Sequence, residues 1–455
     1  LHEKDTYLVH GIGTRKKMTG MFKTIPDKEK DQSKFVLDVY FLEDLEEKMC
    51  IDLPPNDVEE IKKIISEDED EYIKILLQSF APHITGRDME KMALILSAVG
   101  GVKERDGDRA ESHLLLVGEP GTGKSELLKF VNSILPKSSM VDGSNSTSKG
   151  IVFGLDEFDG RKTLHAGVMI QNSGGHIVID EYDKMPTNEQ KALNMAMEQQ
   201  VAYYDKAGHN AQASTKTCVI AGANPVADRW NIDKTIVDNL NFEASTLSRF
   251  DTILRVRPLH NANELIRALD NISGTQDDHT QTWDKHYLSS LINHVRFLKP
   301  KFSEEATKAL KEYYTRMVNI EQAEGSLTIT LRQFHALRRL CFAYAKLTMR
   351  DIVDKKTVEV ITKFCTSGQE SLGMNTGGFT QMDLNNRSTN RKEFFELVFR
   401  ELMDDHNQLK IDELAERLKA EPKFFRTDTS VSDYIQKMKH SGYCYEVRLG
   451  VYEKC

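Results

Sequence analysis

The chain has 455 residues, 39% of them hydrophobic and 29% charged, the balance of a soluble globular protein with room for about two to four domains. A net charge of −9 excludes a uniformly basic coat for nucleic acid, while a locally basic cleft or ring lining stays open. The six cysteines form no Cys-x-x-Cys pair, which excludes a zinc ribbon and fits a reducing compartment; no run reads as a membrane span or a signal peptide.

The opening residues, from Leu1, read as the middle of a domain, so a fragment of a longer protein is expected. Within residues 1–55 lie two strand-like runs, Lys16–Ile25 and Phe35–Leu42, joined by a polar turn, the pattern of a hairpin closing a small β-barrel. Residues 56–80 read as linker helices, an acidic one over Asp57–Asp70 and another over Tyr72–Phe80.

Residues 81–260 alternate apolar strands with amphipathic helices, the mark of an α/β layered domain. Its candidate strands are Leu114–Val117, His176–Asp180, Thr217–Ala221 and Thr252–Val256. The first runs into Gly118, Glu119, Pro120, Gly121, Thr122, Gly123, Lys124 and Ser125, then into a helical pattern starting at Glu126. This is a P-loop, a wrapping of backbone N–H groups around phosphate at the positive end of a helix. A chance match in a chain this long has a probability of about 1–2%. Lys124 is expected to reach the outer phosphates of ATP and the Ser125 hydroxyl to hold Mg²⁺.

The strand ending in Asp180 and Glu181 comes next. Asp180 is placed to bind Mg²⁺ through water and Glu181 to polarise the attacking water. After the third strand, Asn224 offers an amide to orient that water or sense the γ-phosphate, although Asn-Pro alone is also a plain turn. Arg249, just before the fourth strand, reads either as a finger reaching a neighbour's nucleotide or as a surface arginine paired with Asp251. Two candidate hairpins, one with Lys206 near its tip and one running from Asp159 past Lys162 to Gly175, are either pore-lining phosphate contacts or solvated turns.

Residues 261–366 read as a helical lid, with helices at Glu304–Met317 and Leu331–Met349. Residues 367–390, rich in Gly, Ser, Thr and Asn, read as a flexible linker. In residues 391–455 helices at Arg391–Met403, Ile411–Leu418 and Val431–His440 precede a hairpin over Tyr443–Tyr452, the order of a winged helix-turn-helix.

Glu198 to Gly208, Ile179–Met185, Ala223–Pro225, Ser248–Asp251, Leu331–Leu337 and Phe80–Gly86 together closely resemble the minichromosome maintenance (MCM) replicative helicases, strongly over residues 75–366. The tail is similar to the winged helix of archaeal members, and residues 1–55 to the end of the family's N-terminal oligonucleotide-binding (OB) barrel. The resemblance implies an AAA+ ATPase core with helical lid, assembling as a homohexamer that hydrolyses ATP with Mg²⁺ and unwinds DNA. It implies single-stranded and forked duplex DNA and replisome proteins as partners. The implied location is cytoplasmic and nucleoid-associated for an archaeal chain, nuclear for a eukaryotic one.

Carried over by position, Lys124, Ser125, Asp180, Glu181 and Asn224 act in cis, Arg249 and Arg332 in trans. Arg109 and Gln199 match further trans-interface positions, and Lys206 a DNA-gripping lysine. The chain departs from the family at Gly123, where Ala is common, and at Val226–Trp230, where Gly-Arg-Tyr is usual; the family's cysteine-based zinc module has no counterpart here. An MCM-like paralogue using ATP only as an assembly switch, and an AAA+ remodeller acting on protein through Tyr203 and Tyr204, are the alternative readings.

Overall fold

In a computed structural model the described residues are 16–27, 32–44, 53–105, 108–145, 148–158, 161–206, 209–231, 236–240, 242–258, 282–324, 331–372, 399, 402, 408–410, 414–417, 444–448 and 451–454. An antiparallel ladder of β1 (Lys16–Asp27) and β2 (Gln32–Asp44) forms where the two alternating runs predict it, with a bulge at Thr19/Gly20.

Helices α1 (Pro55–Glu67) and α2 (Glu69–Ser79) follow; Asp68 caps the second, its side chain accepting from the N–H groups of Asp70 and Glu71. These helices do more than link. Ile61, Tyr72 and Leu76 are buried in the same core as the nucleotide-binding sheet, and the Tyr72 hydroxyl donates to the Leu347 carbonyl at 2.8 Å.

After α3 (Asp88–Val99) come β3 (Leu114–Gly118), α4 (Lys124–Ile134), β4 (Ser138–Asp142), α5 (Ser148–Ile151), β5 (Phe153–Phe158), β6 (Arg161–Ala166), α6 (Val168–Gln171), β7 (His176–Asp180), α7 (Thr187–Gln199), β8 (Val201–Lys206), β9 (His209–Ser214), β10 (Cys218–Ala223), α8 (Ile236–Leu240), α9 (Ala244–Leu247) and β11 (Thr252–Val256). One five-stranded sheet, ordered β11-β3-β10-β7-β4 and parallel throughout, organises them.

Every residue of β3 and of β10 is buried, as a sheet covered on both faces requires. Alternation divides their side chains between two cores. Leu114, Leu116, Ile220, Leu254 and Val256 face α3 and α4, while Leu115, Val117, Val219, Ala221 and Ile253 face the core holding Tyr182, Leu193 and Phe250. All four predicted strands are present, the third displaced to Cys218–Ala223; the edge strand β4, with its half-exposed pattern, escapes a search for apolar runs.

The lid comprises α10 (Lys285–Arg296), α11 (Glu304–Glu324), α12 (Leu331–Leu347) and α13 (Lys355–Leu372), with a short parallel bridge between β12 (Lys301–Phe302) and β13 (Ile352–Val353). Helix α13 runs six residues into the stretch read as a linker, because it is seated on β11: a side chain on Gly368 would strike Leu254, and the Ser371 hydroxyl accepts from the Arg255 N–H. Residues 373–390 lie outside the described residues.

In the tail, β14 (Gln408–Lys410), β15 (Cys444–Arg448) and β16 (Val451–Lys454) form a small antiparallel sheet. Most of the three helices predicted there lies outside the described residues, which include Phe399 and the helical residues 414–417. No helix among the described residues is long and apolar enough to cross a membrane.

Candidate nucleotide site

Three strand ends converge on the site: β3 delivers the P-loop, β7 delivers Asp180 and Glu181, and β10 delivers Asn224. In a parallel sheet this carboxyl edge is where ligands bind. Gly121 and Gly123 take left-handed φ of 77° and 88°, and a Cβ on Gly118 would lie 2.5 Å from the Val256 carbonyl oxygen. The sequence Gly-x-x-Gly-x-Gly is therefore required by the backbone, and the N–H groups of Lys124, Ser125 and Glu126 open α4 toward the loop. Glu126 offers an anion only that backbone group, since its carboxylate is exposed and paired with Lys129 at 2.8 Å.

Inside the loop the buried Lys124 Nζ donates to the carbonyls of Gly118 at 2.6 Å and Glu119 at 2.9 Å. The Thr122 hydroxyl bonds the Glu119 carbonyl at 2.8 Å. Burial pushes the Lys124 ammonium down to about 8, against the pull of Asp180, Asp183 and Glu119. A triphosphate arriving beside it restores the protonated form. Nucleotide binding is therefore expected to take up a proton above pH ~8 and to weaken as pH rises further, because more of the free Lys124 must then be protonated. Calorimetry in buffers of different ionisation enthalpy checks this, and Lys124→Arg abolishes the uptake.

Asp180 accepts the Glu181 N–H at 3.0 Å, and Glu181 itself sits at a left-handed φ of 52°. The Glu181 carboxylate is held by Lys184 at 2.8 Å. Asp183, one turn on, accepts the Asn224 N–H at 2.8 Å, which fixes the amide-bearing loop beside the acidic one. Burial pushes the Asp183 carboxyl up, and the Asn224 bond works against it. The oxygen set of Ser125 and Asp180 beside the loop fits Mg²⁺, which takes few protein ligands and completes its shell with phosphate and water. An Mg²⁺ ion there would neutralise charge on the β- and γ-phosphates.

Sequence reasoning missed Asp183 as a support of the Asn224 loop, and Arg87, Arg255 and Trp230 as supports of the P-loop. Arg87 donates to the Thr122 carbonyl at 3.3 Å. The Glu119 carboxylate receives the Trp230 N–H at 3.2 Å and the Arg255 guanidinium at 3.4 Å, with Arg255 lying over the Trp230 ring at 5.4 Å. The only signals were Asp183 within the acidic motif and Trp230 within the stretch that departs from the family pattern.

At the opposite edge of the sheet stands a separate set. The N–H groups of Asp251 and Thr252 donate to the His113 carbonyl, which places Arg249 at the amino ends of β3 and β11. The length of a five-residue strand, about 15 Å, therefore separates it from its own P-loop. Arg249 pairs with Glu198 at 2.7 Å, Arg332 pairs with the other oxygen of the same carboxylate, and Gln199 follows Glu198 as an exposed residue.

Arg109, matched to a trans-interface position, places its guanidinium on both oxygens of Asp251 at 2.8 and 3.0 Å, where that buried carboxylate needs cations. Asp251 is correspondingly the partner of Arg109 and Arg339, not of Arg249.

Strands β8 and β9 form the expected hairpin, closed by Lys206 opposite His209. The second hairpin differs from its expected extent. It runs from Phe153 to Ala166 with Lys162 opposite Glu157, and Val168–Gln171 is helical, because the apolar residues Met169 and Ile170 are drawn into the core. The hairpins share a small core in which Phe153 meets Tyr204 at 5.7 Å, so Tyr204 is turned inward and Tyr203 is the exposed one.

This geometry agrees with what the chain is similar to. A family model described as the MCM P-loop domain matches residues 57–269, and one described as the MCM AAA-lid domain matches residues 286–367. The chain belongs to the MCM family. The minichromosome maintenance protein MCM of Saccharolobus solfataricus is 29% identical over 97% of this chain and 67% of its own length. DNA replication licensing factor MCM4 of Drosophila melanogaster is 31% identical over 76% of the chain and 43% of its length. Probable DNA helicase MCM8 of Arabidopsis thaliana is 31% identical over 65% of the chain and 43% of its length. The chain thus spans two thirds of the archaeal MCM and less than half of the other two. The P-loop match begins at residue 57, in agreement with the packing of α1 and α2 into the ATPase core.

Proposed function

We propose that this MCM chain is the motor of an ATP-dependent DNA helicase, working as a ring, most simply a homohexamer, with ATP and Mg²⁺ bound between subunits. The observation that carries the reading is the separation of the two half-sites. Lys124, Ser125, Asp180, Glu181 and Asn224 surround the carboxyl edge of the sheet, while Arg249 and Arg332 are gathered at the amino edge, beyond reach of their own loop. A neighbour's sheet must then supply what each lacks.

In the assembled site Lys124 and the loop N–H groups hold the phosphates, Ser125 and Asp180 hold the metal, and Glu181 orients the water with Asn224. Arg249 and Arg332 from the next subunit meet charge on the transferring phosphoryl. The Lys206 and Lys162 hairpins contact phosphates of one DNA strand, so binding is salt-dependent and largely indifferent to sequence. The acidic net charge is no obstacle, since only the channel lining must be basic. Residues 1–55 belong to an OB-type barrel, and 391–455, with the β14–β16–β15 sheet, to a winged helix. The acting location is wherever the replicating DNA is, with replisome proteins as neighbours.

Lys124→Ala is expected to lower ATP turnover by at least about a hundredfold and to abolish unwinding of a forked duplex. Unwinding that survives in this variant sinks the proposal. Turnover stimulated by single-stranded DNA in the unmodified protein separates a motor from a paralogue that uses ATP only as an assembly switch.

A further inference from the structure

We infer that Glu198 is the positioning residue that sets Arg249 and Arg332 as one paired unit for the neighbouring subunit's nucleotide; this rests on the reading that these arginines act in trans. Glu198 is the penultimate residue of α7, at the negative end of that helix, where an acid is disfavoured unless cations offset it. Two do. Arg249 Nη2 lies 2.7 Å from Oε2, and Arg332 Nη2 binds Oε1. Arg332 Nη1 also donates to the Ser248 hydroxyl at 3.4 Å, beside Arg249 in the chain.

The two cations come from different parts of the fold, Arg249 from the loop before β11 and Arg332 from the first turn of lid helix α12. Side by side without a counter-charge they would repel one another. One carboxylate between them removes that repulsion and fixes their spacing. Arg249 is mostly buried, at 17% exposure, with its Nε enclosed and unpartnered, whereas Arg332 and Glu198 are half exposed. The anchored arginine therefore fixes the carboxylate, and the carboxylate fixes the half-exposed one on the lid.

A guanidinium has five donors in a rigid fork, so each arginine can keep Glu198 on one edge and turn another to a phosphate. Glu198 touches no phosphate itself. It ties the lid to the ATPase base at the interface, so Arg332 stands beside Arg249 only while the lid is seated on the base.

The test uses the assembled protein and steady-state ATP hydrolysis, with Glu198→Ala, Glu198→Asp, Arg249→Ala and Arg332→Ala. Glu198→Ala is expected to lower kcat about tenfold, from misplacement alone, while KM changes by less than about twofold. Glu198→Asp recovers part of the loss, because the charge returns on a shorter arm. Adding Arg332→Ala to Glu198→Ala costs clearly less than Arg332→Ala costs alone, since Arg332 is already displaced; a purely structural Glu198 leaves the two losses additive. A Glu198→Ala protein with unaltered kcat, or full additivity with Arg332→Ala, overturns the inference while the trans reading stands. If Arg249→Ala leaves hydrolysis intact, the trans reading itself falls, and the inference with it.

Discussion

Arg249→Ala is expected to reduce kcat for ATP hydrolysis by about a thousandfold, the lower end of what an arginine finger contributes to phosphoryl transfer. The magnitude follows from what the cation meets. In the proposed site Mg²⁺ and Lys124 would already neutralise the γ-phosphate in the ground state. On the shared-site proposal, charge in the transition state would spread onto oxygens that face the neighbouring subunit, and Arg249 would be the group that meets it. Its contribution is therefore to kcat, and affinity for ATP should change little by comparison. Isolated subunits of the unmodified protein should resemble the variant, because Arg249 lies a strand's length from its own P-loop. Steady-state kinetics at protein concentrations above and below assembly checks both statements.

The second large effect is on stability. Asp251 is buried and accepts from Arg109, Arg339 and the His113 N–H at 3.0 Å, tying the start of β11 to the start of β3 and to lid helix α12. Burial alone would raise the Asp251 pKa, but Arg109 and Arg339 overcome it and hold the carboxyl below the usual range. With a depressed folded pKa, the stabilisation is complete above about pH 4 and is lost as pH falls through the folded value. Asp251→Asn leaves two buried guanidiniums without a counter-charge and is expected to cost about 3–5 kcal/mol. Urea unfolding at pH 7 measures the cost. Arg249→Ala, by contrast, removes a mostly buried arginine whose partner, Glu198, is half exposed, and should cost much less.

How much of this was legible in the chain differs between the two halves of the site. The P-loop could be read because a phosphate cradle needs glycine at fixed steps, and the left-handed φ at Gly121 and Gly123 shows that need directly. Asp180 and Asn224 could be read because each follows an apolar run that the sheet buries on both faces. Distance was the missing variable. Arg109 and Arg249 look equivalent as isolated arginines in polar turns; only the fold shows the first paired with the buried Asp251 and the second with the half-exposed Glu198.

The supports of the P-loop were hidden for the same reason. Glu119, Trp230 and Arg255 are far apart in sequence and meet only because β11 lies beside β3. Helices α1 and α2 looked like a linker because most of their charge is on the outside, Glu69 excepted, while Ile61, Tyr72 and Leu76 supply the inner face. The end of the second hairpin was misplaced because Met169 and Ile170 answer to a core that no local pattern announces.

Shared active sites are the central claim, and one mixing experiment tests it most directly. Subunits carrying Lys124→Ala have an intact Arg249, and subunits carrying Arg249→Ala have an intact P-loop. Neither is expected to hydrolyse ATP appreciably alone. Mixed before assembly, they should recover turnover at interfaces that join a good loop to a good arginine, with a maximum near equal proportions. Activity that stays at the level of the separate variants at every ratio, in particles shown to contain both, would contradict the account.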